Sequence, residues 1–242
     1  MAAVTETLEP RWWGRHFHEL RWQAELGRLL VDPVYRGQGV PRGDGGPVLL
    51  IPGFLAGDGS LTVLREWLGR IGHRPHVSGI RLNVDCSNRC LLGLERRLER
   101  IAEQAERPVA IVGHSRGGHF AKALAHRRPE LVSRVVSMGA GLDSPFAISV
   151  PTAGAVAAVR VIHGRKTPGC FTEGCGCDFA RHYRGDFPSD IPLTSIFSKG
   201  DGVVRWQACV VPYARCVEVT GSHVGLAFNR KAYREVARAL RP

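Results

Sequence analysis

The sequence contains no run approaching the roughly 18 consecutive apolar residues that a membrane-spanning helix needs, so no segment reads as a transmembrane span. Lysine is scarce as well: only four of the 33 basic residues are lysines (Lys122, Lys166, Lys199 and Lys231). The arginines that make up the rest are scattered rather than gathered in a tail or stripe. No zinc-finger, RNA-binding or basic-zipper pattern accompanies them, which argues against a nucleic-acid partner. With 22 acidic residues the net charge is +11, which reads as a solvated basic surface. The alternative is a functional face for anions or acidic membranes. The first twenty residues lack a basic segment followed by an apolar one, so no secretory signal is expected and the chain reads as cytoplasmic. Repeats and low-complexity segments are also lacking.

What is present suits one sizeable globular domain: 242 residues, 44% apolar and 23% charged, with 29 glycines for tight turns. The seven cysteines (Cys86, Cys90, Cys170, Cys175, Cys177, Cys209 and Cys216) are an odd number. In a reducing compartment they read as free or packed thiols. A local disulfide within Cys170–Cys175–Cys177 is the second reading. A structural metal is the third, because zinc knuckles favour C-x2-4-C pairs and C-x-C is a poor match. Cys86 and Cys90 complete such a site only if the fold brings them near. The expectation is therefore no metal and no cofactor.

Residues 11–31 read as an amphipathic helix, with Trp13, Phe17, Leu20, Ala24 and Val31 near one face and Leu26 and Leu30 beside them. It is expected to pack back on the body as a strap; lying on a membrane interface is the alternative, which leaves peripheral membrane contact open. A Gly/Pro-rich linker follows at 36–47. From there strand-like runs at 48–54, 76–84, 108–113, 132–138, 194–197 and 216–219 alternate with helical patterns at 60–71, 91–106, 115–126 and 229–240. That alternation predicts a mostly parallel sheet with helices on both faces. Residues 142–190 break the rhythm, and the short apolar helix at 153–162 within them suggests a lid over the sheet's carboxyl edge.

The chemistry concentrates at Gly113-His114-Ser115-Arg116-Gly117-Gly118. Glycines two before and two after a serine permit a sharp strand-to-helix turn that lifts the hydroxyl above the sheet. Here the motif follows an apolar strand and precedes a helical pattern, the context it requires. A serine needs a base and a group to orient that base. His223 is the candidate base, since it alone follows the last strand and precedes the final helix. His119 and His126 lie on the helix behind the serine, and His114 is expected to face away. Asp201, after the strand at 194–197, is the candidate acid, and Asp143 the runner-up. The backbone N–H groups of Arg116 and of Phe54, with Leu55 as the alternative to Phe54, are the candidate oxyanion donors.

Taken in order, IPGF, GHSRGG, SKGDGVV and GSHVGL resemble the bacterial lipase/esterase-like branch of the α/β-hydrolase superfamily, over about residues 48–240. The resemblance implies a Ser115–His223–Asp201 triad with Phe54 and Arg116 at the oxyanion hole. It divides the chain into an N-terminal helix and linker (1–46) and a hydrolase domain (47–242) with a lid at about 142–190. The function it implies is hydrolysis of small carboxylic esters with an apolar acyl part, for which Phe146, Ile148, Val150, Val156, Val159 and Ile162 of the insertion supply apolar surface. An acyltransferase or thioesterase using the same acyl-serine is the alternative. A partner- or membrane-binding protein with a vestigial site is a third reading, of a different class.

Overall fold

The computed structural model describes residues 16–163, 170, 172 and 174–241. Six strands form a single sheet: β1 (Pro47–Ile51), β2 (Arg74–Val77), β3 (Val109–His114), β4 (Val132–Met138), β5 (Leu193–Phe197) and β6 (Arg215–Glu218). Their order is β2-β1-β3-β4-β5-β6, and every pairing is parallel. The chain leaves β1 to one side and returns to pair β3 on the other. This reversal opens a crevice at the carboxyl ends of β1 and β3, where open α/β sheets bind ligands.

The continuous apolar runs are explained by burial on both faces. In β1, Val48 and Leu50 point into one core and Leu49 and Ile51 into the other. The first core is closed by α1 (Trp22–Val31), α2 (Thr62–Arg70) and α7 (Arg230–Ala239), whose Trp67 and Tyr233 rings lie 4.5 Å apart. The second is closed by α3 (Ser87–Ala105), α4 (Arg116–Arg127) and α6 (Asp178–Arg184). α5 (Val150–His163) belongs to neither core beyond the edge of the sheet.

Three expectations are corrected. The N-terminal helix does pack on the body, but with Leu29 as its buried residue while Leu20, Leu30 and Val31 are exposed. It opens as a 3-10 turn over His16–Arg21, and three residues per turn rather than 3.6 shifts the phase of the apolar face. Trp13 lies outside the described residues. The second strand ends at Val77, because the Asp58 carboxylate accepts from Ser78 N, Ser78 Oγ and Gly79 N and bends the chain away from the sheet. Finally, the insertion does not stand wholly apart from the body: α6, unforeseen in the sequence, buries Phe179 and Tyr183 in the second core.

Candidate active site

β3 runs straight into Ser115, which adopts φ 52° and ψ −125°. A non-glycine residue in this region is strained and persists only where its surroundings enforce it. The surroundings here are backbone. A Cβ on Gly113 would lie 2.3 Å from the Gly117 carbonyl oxygen, and one on Gly117 would lie 2.1 Å from that of Ile51. Ser115 N–H donates to Met138 O at 2.8 Å, so the turn is tied to β4 as well.

The loops after β5 and β6 bring Asp201 and His223 together. His223 Nδ1–H donates to Asp201 Oδ2 at 2.6 Å, which leaves Nε2 as the ring's acceptor. The other carboxylate oxygen accepts from Val203 N and Val204 N, both at 2.8 Å. Both side chains are buried. Burial opposes the charged imidazole, but the Asp201 charge, its hydrogen bond and the Glu19 charge outweigh it and hold His223 above the ordinary histidine value. Asp143, the alternative acid, is exposed and its N–H donates to Ala208 O.

His114 does not face away. Its Nε2–H donates to the His223 carbonyl at 2.9 Å, and the two rings lie 5.0 Å apart. Burial, then the His223 charge, pushes His114 down to about 4, so it is a neutral donor steadying the His223 loop. His119 likewise turns toward the site: it lines the cavity, buried and pushed down to about 3, first by burial and then by the Arg116 and Lys122 charges.

Arg116 contributes more than its backbone. Its buried guanidinium donates to Asn83 O (3.0 Å), Asn83 Oδ1 (2.8 Å), Asp85 O (2.8 Å) and Ser87 Oγ (3.0 Å). Asn83 Nδ2 in turn donates to Pro52 O at 2.8 Å, and Asn83 O accepts from Leu55 N at 3.3 Å. One side chain thus ties the serine turn to the loop after β1. Leu55 N–H is engaged in that tie.

Ser115, His223, Phe54, Leu55 and Arg116 all line one cavity of about 400 Å³. Much of the remaining lining is apolar: Phe146, Ile148, Pro151, Ala155 and Val156 from the first part of the insertion, with Phe179 and Tyr183 from α6. Val150 and Ile162, expected among the apolar contributors, are instead exposed on the outside of α5. All seven cysteines are thiols. Cys175 Sγ–H donates to Cys177 Sγ at 3.1 Å and Ser87 N–H to Cys170 Sγ at 3.4 Å, and burial pushes Cys170 and Cys177 up to about 11. Among the described residues no group of three or more His, Cys, Asp or Glu could hold a metal ion, and no helix is long and apolar enough to cross a membrane.

No protein-family model and no curated protein matches the sequence. Solved structures do match. A soluble variant of monoglyceride lipase from Saccharomyces cerevisiae is 14% identical with TM-score 0.58, over 84% of this chain and 86% of that one. The monoacylglycerol lipase of Paleococcus ferrophilus is 16% identical with TM-score 0.58, over 83% and 96%. The thioesterase domain from the curacin biosynthetic pathway is 13% identical with TM-score 0.50, over 83% and 92%. The fold of this chain is therefore the α/β-hydrolase fold.

Proposed function

We propose that the protein is a serine hydrolase of carboxylic esters, with Ser115 as nucleophile, His223 as base and Asp201 as the group that orients the base. The observation that carries this reading is the strained Ser115 turn opening on the same cavity as a buried His223 whose Nδ1–H is held by Asp201. Ser115 Oγ attacks the ester carbonyl as His223 Nε2 takes its proton, and the imidazolium so formed is stabilised by the Asp201 carboxylate. The oxyanion is received by the backbone N–H groups of Phe54 and Arg116. His223 then returns the proton to the departing alcohol, leaving an acyl-serine. Water, deprotonated by His223, releases the acid and restores Ser115. The largely apolar remainder of the cavity lining suits an apolar acyl chain.

Turnover of short and medium p-nitrophenyl esters tests the assignment. Ser115→Ala is expected to lose a factor on the order of 10⁴ to 10⁶, as removal of the nucleophile does in serine hydrolases. Near-normal turnover by that variant would remove the basis for an enzyme of this kind. A thioester is the second substrate class, favoured by the likeness to a thioesterase domain. Comparing acyl thioesters with oxygen esters of equal chain length, with and without added alcohols, separates hydrolase, thioesterase and acyltransferase.

A further inference from the structure

The base loop is held from outside the sheet by two carboxylates of the N-terminal segment. Glu19 Oε1 accepts from Gly202 N at 3.1 Å and from His223 N at 2.9 Å, while Oε2 accepts from Val224 N at 3.0 Å. One oxygen therefore bridges the residue after Asp201 and the backbone of His223. Glu25, on α1, accepts from Ser222 N and Ser222 Oγ, both at 2.9 Å. The slot for Glu25 exists because residue 225 is glycine: a Cβ there would lie 1.3 Å from Glu25 Oε2. Five donors of two loops thus converge on two acidic side chains about 200 residues distant in the chain. Charge-assisted bonds to backbone N–H groups are short, directional and about twice as strong as neutral ones, so they fix geometry as well as contributing stability.

We propose that Glu19 is a positioning residue for the reaction: it sets the spacing between the acid loop and the base loop and adds a second negative charge behind His223, with Glu25 as a purely mechanical anchor beside it. This inference rests on the Ser115–His223–Asp201 reading. The ionisable groups facing His223 are Asp201 from the loop after β5, His114 from the end of β3, His119 from α4 and Glu19 from the N-terminal turn. With both neighbouring histidines neutral, Asp201 and Glu19 are the charges that favour the imidazolium. Glu19 acts through the loop and through space, touching no reacting atom.

The test is a set of full-chain variants, Glu19→Gln, Glu19→Ala, Glu19→Asp and Glu25→Gln, each checked by circular dichroism and melting before kinetics on a p-nitrophenyl ester. Glu19→Gln, nearly isosteric, is expected to lower kcat about 10-fold and Glu19→Ala about 100-fold, with KM within about twofold, the scale of a small misplacement of a reacting group. The acid limb of kcat/KM is expected to move down by about half to one pH unit in both, less than the 1–3 units of a carboxylate in direct contact. Glu19→Asp should keep the wild-type limb, and Glu25→Gln should lower kcat without moving it. Folded Glu19→Gln and Glu19→Ala proteins with wild-type kcat and an unmoved limb would overturn the proposal. If Ser115→Ala shows the ester-hydrolase reading itself to be wrong, titration of the His223 imidazole by NMR still decides the positioning claim. An equal His223 pKa in wild type and Glu19→Gln would refute it, and a lower one in the variant would uphold it.

Discussion

Ser115, His223 and Phe54 stand on one wall of the 400 Å³ cavity, and the start of α5 with the segment before it forms much of the other. On the sheet side, each chemical group is fixed by backbone collision or a buried polar contact: the glycine turn at Ser115, the His114 bond to the His223 carbonyl, the Arg116–Asn83 tie. On the other side the segment before α5 is tied to the Asp201 loop by Ser149 N to Val203 O and Arg205 N to Ala147 O, both at 2.8 Å, while the body of α5 is lightly packed. Val159 is 8% exposed, whereas Val150, Val161 and Ile162 are 70%, 77% and 74% exposed. Collisions and hydrogen bonds have steep distance and angle dependence, while apolar contact is non-directional. On the proposed reading, the first wall would hold the reacting atoms in place and the second would accept an acyl group.

The sharpest way to break that contrast is to crowd the sheet wall. Gly117→Val would drive side-chain carbon into the Ile51 carbonyl, and backbone cannot yield there without moving β1. The expected loss exceeds about 4 kcal/mol, at the exceptional end for single substitutions. Urea denaturation and soluble yield measure it; a variant melting with the wild type would mean that the turn is not locked by its neighbours.

The two walls also differ in how much of them could be read from residues alone. Strands buried on both faces leave continuous apolar runs, and the glycines of the serine turn act within five residues, so β1, β3, β4 and the Ser115 turn were legible. The Asp201 and His223 loops followed from their places after β5 and β6, and the structure pairs them. Contacts between distant polar groups leave no periodic trace. Asn83 falls inside the strand expected at 76–84, Glu19 and Glu25 fall within the helix expected at 11–31 but outside its apolar set, and His114 is expected to face away although its ring packs against His223. α6 spans only seven residues, too short for a helical period to stand out among the surrounding glycines and cysteines.

Acid gives a second, smaller contrast. His114 is buried in the sheet wall with its folded value lowered to about 4, against roughly 6.5 in an unfolded chain. Between those values the unfolded chain binds the extra proton, so stability is lost as pH falls from about 6.5 toward 4. A shift of that size corresponds to about 3 kcal/mol for His114 alone, and His119, lowered to about 3, adds loss in the same direction. His223, with its raised value, runs the other way: its contribution is full below the unfolded value and is lost as pH rises through the folded one. Melting curves from pH 7.5 to 4 should therefore fall, and His114→Gln, which keeps a donor for the His223 carbonyl without titrating, should flatten the fall. An equally steep fall in that variant would place the acid sensitivity elsewhere.

The smallest effect is expected on the outer face of α5. Val161 and Ile162 are mostly in solvent, so Val161→Ser with Ile162→Ser removes little buried area and should change stability by within about 0.5 kcal/mol. Neither residue lines the cavity, so hydrolysis of short soluble esters should keep its kcat and KM. Val156→Ser, on the cavity side of the same helix, should raise KM for medium-chain esters several-fold with kcat little changed, because an apolar contact made alike in ground and transition states affects binding alone. The pair of measurements tests whether α5 selects substrate through its inner face. A loss of kcat in Val156→Ser matching that of a sheet-wall variant would show that both walls hold the reacting atoms, and the division between them would fail.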